Sequence, residues 1–261
     1  MRIAMVLCTA FFATPPDDPE YERRVQQFTN GFKQVAEVVN QYPCFDVFSM
    51  DNTVEDPQQI DPRVMAALDA IPNLKGKCHF LDNELGKRNP GSGMVVAWSR
   101  MLPDLLGRYE YLVHYEPRQH LVNYSFFERM ANRPDAYFCR YGDKIRLYGM
   151  ALTIHRFWTG FFSMRTADLW GYCRAKDRCV PPRIVPNGLW WWRWRRLKLR
   201  LLPDWLAYLD EAIESDFPRF VRRHRIPIVR VPDLGSLWHQ GSKDRMVKMI
   251  ECDFRDDEVV V

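Results

Sequence analysis

Residues 114 to 120 read HYEPRQH: two histidines, a carboxylate and a guanidinium, with Pro117 fixing the backbone between Glu116 and Arg118. Such side chains can do three kinds of chemistry. Carboxylate and imidazole bind divalent cations. A planar guanidinium forks onto phosphate oxygens. Histidine and glutamate move protons. The cluster follows the apolar residues Tyr111 to Val113, so it stands where a strand ends. A turn asks only for Gly, Pro, Asn or Asp, which leaves the charges and imidazoles to be explained. Two plain explanations stand beside the chemical ones: His114 is a core histidine, and Glu116 and Arg118 pair with each other.

Three further stretches carry chemistry. In NELGKRNPGSG, residues 83–93, Gly91 and Gly93 permit close backbone approach, and the helix behind them attracts anions at its N-terminus. Lys87 and Arg88 add positive charge, although an ordinary strand-to-helix loop would look the same. LWHQGSK, residues 237–243, offers His239 and Lys243 to a phosphate or to solvent. LWWWRWRRLKLRL, residues 189–201, holds four Trp and five Arg or Lys. Trp favours the bilayer interface and basic side chains favour anionic headgroups, which makes this segment a membrane-contact candidate. Cation–π stacking inside the fold, or single-stranded nucleic acid, would use the same residue types.

These residues need elements to position them, and hydrophobic periodicity supplies the elements. Short apolar runs predict strands at 3–8, 45–50, 78–81, 111–114, 136–140, 147–154 and 227–231. Helices are predicted at 19–42, 62–71, 94–106, 123–132, 167–174 and 206–223. In the first helix Val25, Phe28, Phe32, Val35 and Val39 recur at three- and four-residue steps, as one buried face requires. Strand and helix alternate through the first 125 residues, which predicts an α/β, Rossmann-like fold: a mostly parallel sheet flanked by helices. Ligands of such sheets bind beyond the carboxyl ends of the strands. Thr9, Asp51, Asp82 with Asn83, and His114 to Arg118 stand at those ends.

Composition bounds the reading. The 261 residues suffice for one large domain or two small ones, and 47% hydrophobic with 14% aromatic content provides a substantial core. Disorder is expected only in the acidic tail, Asp253 to Val261. A net charge of +4 is weak for a dedicated nucleic-acid binder, so nucleic acid is not the expected partner. No apolar run reaches the roughly 18 residues of a membrane span. MRIAMVLCTAFFATPP loosely resembles a signal peptide, but its apolar run is short and its basic region is one arginine. It reads as a first core strand. Seven scattered cysteines without a CxxC pair suggest reduced thiols in a cytosolic protein and no structural zinc.

Five features come in a telling order: VLCTA closing the first strand, a second strand ending at Asp51, NELGKRNPGSG before a helix, a fourth strand ending in HYEPR, and LWHQGSK near the C-terminus. Over most of the chain this resembles the GT-A class of nucleotide-sugar-dependent glycosyltransferases. The resemblance implies a single GT-A-like domain. Residues 1–122 would form the nucleotide-sugar-binding half, 123–250 the acceptor-binding half and 251–261 an acidic tail. It implies a nucleotide-diphosphate sugar as donor, a hydroxyl acceptor on a glycan or lipid-linked saccharide, and Mn²⁺ or Mg²⁺ on the diphosphate. Donor contacts then fall on Thr9, Ala10, Asp51, Asn83, Gly86, Lys87, Gly91, Ser92, His114 and Lys243, and metal contacts on Glu116, His114 and His239.

The departure from the family lies at its most diagnostic motif. His114-Tyr115-Glu116 stands where Asp-x-Asp is expected, so Arg118 is the alternative to a metal for neutralising the diphosphate. Related enzymes carry an acidic general base near the start of a late helix. In YLDEAIESDF that role falls to Glu211 or Glu214, against the alternative of a solvated acidic face. FWTGFFSMRT, residues 157–166, corresponds to a wall between donor and acceptor, with Phe162 read as core. The membrane-contact reading of 189–201 makes the protein cytoplasmic and peripheral at an anionic membrane surface. Two other readings stay open. A nucleotidyltransferase usually has a glycine- and basic-rich loop after its first strand, where this chain has TAFFATPPDD. A non-catalytic membrane- or nucleic-acid-binding protein using residues 189–201 would not need convergent polar strand ends.

Overall fold

A computed structural model describes residues 1–11, 16–51, 53–54, 56–78, 90–147, 150–177, 213–231, 234–239, 246–247 and 258–260. Strands β1 (Ile3–Thr9) and β2 (Phe45–Asp51) are buried along their whole length; β1 is apolar up to Thr9, as a strand covered on both faces must be, and β2 also buries Asp46, Ser49 and Asp51. Helix α1 (Tyr21–Gln41) buries Val25, Phe28, Phe32, Val35 and Val39 on the face that periodicity indicated. Helix α2 (Pro62–Asp69) begins with a proline whose missing N–H costs nothing there, and Asp61 caps it by accepting from the Arg63 N–H at 2.8 Å.

The third strand lies earlier than expected. β3 is Leu74–Cys78, where a strand was expected at 78–81, and residues 79–81 lie outside the described residues. It lies at the edge of the sheet, where lysines keep an open strand soluble, so LKGKC shows no apolar run to betray it. Asp82 and Asn83, expected at the end of this strand, lie outside the described residues. Next come α3 (Pro90–Leu105), β4 (Tyr111–Tyr115), the short β5 (His120–Leu121) and α4 (Ser125–Asn132). A long hairpin follows, β6 (Tyr137–Leu147) and β7 (Met150–Arg165), then α5 (Thr166–Asp177), α6 (Ile213–Arg223) and β8 (Ile228–Val231). β9 (Ser236–His239), β10 (Met246–Val247) and β11 (Glu258–Val260) complete the described elements.

The main sheet runs β11-β8-β6-β7-β4-β1-β2-β3. β3, β2, β1 and β4 are mutually parallel, β7 runs antiparallel to both β4 and β6, and β8 is parallel to β6. The fold is thus α/β, with a mixed but mostly parallel sheet. α1, α2 and α4 pack one face around Phe32, Val64 and Phe127, and α3, α5 and α6 pack the other around Trp98, Leu169 and Phe217. Within the acidic tail, Glu258–Val260 pair antiparallel with β8 at the sheet edge. No helix among the described residues is long and apolar enough to cross a membrane. Cys8 and Cys44 are free thiols.

Candidate site at the carboxyl edge of the sheet

The order 3-2-1-4 reverses the chain's direction of travel between β1 and β4, and a crevice opens at such a point. Thr9 lies opposite Asp51 in the β1–β2 register. The Asp51 carboxylate is fully buried. It accepts from the Thr9 hydroxyl at 2.7 Å, the Phe11 N–H at 3.0 Å, the Thr53 N–H at 2.6 Å and the Thr53 hydroxyl at 2.9 Å. Four bonds fill the acceptor sites of a carboxylate. Thr9 and Asp51, expected as nucleotide contacts, here tie the loop after β1 to the end of β2. Burial raises the Asp51 pKa above the ordinary value, against the pull of these bonds. Asp51→Asn turns donors toward a new NH₂ group. We expect it to cost about 3 kcal/mol of stability, read as a shift in the urea midpoint, because buried donors are left unpaired. An unchanged midpoint would show that these bonds carry no net stability. Ala10, the next expected contact, is half-buried beside this knot.

Beyond β4 the Glu116 N–H continues the ladder to the Gly160 carbonyl at 2.8 Å. The chain then turns, the Gln119 N–H returning to the Glu116 carbonyl at 3.0 Å, with Pro117 at the position a β-turn favours. Arg118 donates from Nε at 3.3 Å and Nη2 at 3.0 Å, both to Glu116 Oε2. This is the pairing the sequence left open, and it leaves Glu116 Oε1 and Arg118 Nη1 without a partner among the described residues. The edge is electrostatically connected. The buried Cys8 thiol is pushed well up by desolvation first, then by Glu116 and Asp51, with Arg118 opposing.

The turn rests on α1 at a residue that sequence reasoning passed over. A Cβ on Gly31 would lie 1.7 Å from the Pro117 carbonyl oxygen, so only glycine lets helix and turn meet. One turn along, Gln34 accepts from the Leu121 N–H at 3.0 Å and donates to its carbonyl at 2.8 Å. The signal was legible: a glycine inside an amphipathic helix costs about 1 kcal/mol against alanine, so it calls for a packing reason.

His114, expected among both donor and metal ligands, lies in the core instead. It faces Phe162 across the β4–β7 pair, and their rings stack at 4.9 Å. Trp98 of α3 meets it edge-on at 5.1 Å. It is fully buried, and its two ring nitrogens have no partner among the described residues. Desolvation lowers its pKa to about 3, so the ring is neutral at physiological pH. Phe161 and Phe162 of the expected donor–acceptor wall are likewise core, one on each face of the sheet.

β9 brings LWH beside this turn. His120 is opposite Leu237, and the Val122 N–H donates to the Gly235 carbonyl at 2.7 Å. Gly235 has φ 73°, which favours glycine, and Asn123 Oδ1 would lie 2.7 Å from a Cβ there. His239 closes β9, opposite Met246. Gly91 and Ser92 fall in the first turn of α3. Glu214 falls in the first turn of α6. Asn83, Gly86, Lys87, Glu211, Lys243 and the whole segment 189–201 lie outside the described residues.

Searches of the sequence against protein-family models and against curated proteins return no match. The chemistry must therefore be argued from the site. Among the described residues no three His, Cys, Asp or Glu side chains come together as a metal would need. Of the expected metal ligands, His114 is walled in by Trp98 and Phe162, Glu116 gives one oxygen to Arg118, and the His239 side chain lies outside the described residues. What the edge does present is a guanidinium and a carboxylate, held on a turn that is fastened to α1.

Proposed function

We propose that the protein is a glycosyltransferase of GT-A type, transferring a sugar from a nucleotide-diphosphate donor to a hydroxyl of a glycan or lipid-linked acceptor. One observation carries the reading: the carboxyl ends of β1, β2 and β4 meet at the switch of strand order, with Arg118 and Glu116 on the turn that leaves β4. In this reading the bond from the sugar's anomeric carbon to the diphosphate oxygen breaks, and that oxygen keeps the electron pair. A bond from the acceptor oxygen to the same carbon forms, and the acceptor proton passes to a carboxylate, for which Glu211 and Glu214 are the candidates. Arg118 neutralises the departing diphosphate. Residues 189–201 hold the enzyme peripherally at an anionic membrane surface, where a lipid-linked acceptor would be presented.

The experiment is a thermal-shift screen of nucleotides and nucleotide sugars, with and without Mn²⁺. A ligand at a hundred times its Kd stabilises the folded protein by about 2.7 kcal/mol. With the donor identified, Arg118→Ala should lower transfer about a hundredfold, the usual cost of losing one donor to a developing negative charge. No stabilisation by any nucleotide, or full activity without the guanidinium, would remove the reading.

A further inference from the structure

We propose that Glu116 is the base of the transfer: the carboxylate oxygen that Arg118 leaves unpaired takes the proton of the acceptor hydroxyl. The inference rests on the reading above and deepens it. It moves Glu116 from the metal contact that the resemblance implies to the reacting hydroxyl. It also gives a residue of the β4 turn the role held open for Glu211 and Glu214.

Asp51 and Glu116 both stand at strand ends, and they differ in what they can still accept. Asp51 is fully buried, and its acceptor sites are filled by Thr9, Phe11 and Thr53. Glu116 keeps 18% of its side chain exposed. Arg118 donates twice to Oε2, while Oε1 has no partner among the described residues. Space lies beside it. Glu116 is opposite Gly160 in the continued β4–β7 register, and its N–H donates to the Gly160 carbonyl at 2.8 Å. Glycine sets no side chain next to the carboxylate, and a glycine within a strand often marks where a ligand comes close. On the β1 side the neighbour is the small Cys8, one step past the Leu7–Tyr115 pair. Side chains alternate along a strand, so Glu116 is on the face of His114, at the rim above Trp98 and Phe162. Those three are fully buried, so a substrate reaches Oε1 from the rim.

The chemistry selects the hydroxyl over the diphosphate. A carboxylate repels a diphosphate, whereas a neutral hydroxyl donates to it. His114, which the resemblance sets beside Glu116 on a metal, is enclosed by Trp98 and Phe162. Arg118 serves both reacting partners: Nε and Nη2 go to Glu116, and Nη1 remains for the departing diphosphate. In the step, the acceptor O–H gives its proton to Glu116 Oε1 while its oxygen bonds to the anomeric carbon. The bond from that carbon to the diphosphate oxygen breaks, and the diphosphate keeps the electron pair. Glu116 thus loses its negative charge as the leaving group gains one. The Arg118 charge is released from the first and stabilises the second.

Steady-state kinetics of the whole protein tests the assignment, with UDP-glucose, GDP-mannose, ADP-glucose and dTDP-glucose as donors and octyl β-glucoside or water as acceptor. Release of nucleoside diphosphate from none of these overturns the reading of the preceding section and this inference with it. At saturating donor, Glu116→Gln should lower the rate about a hundredfold or more, the span of general-base catalysis. Thermal stabilisation of that variant by the same donor should equal the wild type's, because a base does not hold the nucleotide. A metal ligand behaves the other way: Glu116→Gln loses the stabilisation by donor and regains it in excess Mn²⁺. That pattern, or a wild-type rate in the folded variant, overturns the assignment while the glycosyltransferase reading stands. If Glu116→Gln does not fold, Glu116→Asp decides, since it keeps the charge but withdraws the oxygen by one methylene. Slowed transfer with normal donor stabilisation supports the base, and unchanged transfer overturns it. Sodium formate offers a small carboxylate to the space left in Glu116→Ala. Faster turnover of that variant with formate, and no change in the wild type, is the expected result; equal responses overturn the assignment.

Discussion

Gly31→Ala is expected to destabilise the protein by about 2 kcal/mol, although alanine is favoured over glycine in a helix by about 1 kcal/mol. The reason is contact with backbone, which cannot rotate away. The new Cβ would stand 1.7 Å from the Pro117 carbonyl oxygen and 2.6 Å from its carbon. Relief requires α1 and the β4 turn to separate, and the turn carries Glu116 and Arg118. Thermal stabilisation by a nucleotide sugar should therefore fall together with stability. Gly171 of α5 is the matched control. Among the described residues a Cβ there meets only the Phe220 ring, at 3.5 Å, so Gly171→Ala should be neutral or stabilising. Urea midpoints and thermal shifts on both variants decide the matter. A Gly31→Ala protein as stable as Gly171→Ala, with full stabilisation by the nucleotide sugar, would show that α1 does not position the turn.

The second large effect is acid sensitivity centred on His114. Its folded pKa is about 3 against an ordinary 6.5, so between those values the unfolded chain takes up a proton that the folded one refuses. The neutral ring therefore costs nothing at pH 7, and stability falls as pH drops below 6.5 by about 1.4 kcal/mol per unit. At pH 4.5 the loss from this residue alone is about 2.7 kcal/mol. His114→Phe removes the titration and keeps a ring between Trp98 and Phe162. The quantity to compare is the drop in unfolding free energy from pH 7 to pH 4.5. That drop should be smaller in the variant by roughly 2 to 3 kcal/mol. Equal drops would mean that His114 already reaches a proton acceptor or water in the folded state.

His114 also shows where reading a sequence stops. In one dimension HYEPRQH presents two histidines, a glutamate and an arginine as neighbours. Residues two apart on a strand share a face, but not an environment. His114 is still inside the ladder, opposite Phe162, whereas Glu116 is at the rim where the turn begins. Asp51 misled in the opposite way. It does stand at a strand end, yet its oxygens are filled by Thr9, Phe11 and Thr53.

By itself the sequence determined the α/β class, the buried faces of β1, β2 and α1, and the edge on which polar groups gather. Each of these follows from local periodicity and from the rule that parallel strands need helical crossovers. The lysine-bearing edge strand β3 and the two-residue β5 escaped because an edge needs no apolar pattern and two residues cannot display one. Only the tertiary structure decided which polar residues face the edge and which are enclosed. It also decided that Gly31 and Gln34, some eighty residues before the turn, hold it in place. Such contacts are set by how a helix lies on a sheet, and no local spacing encodes that.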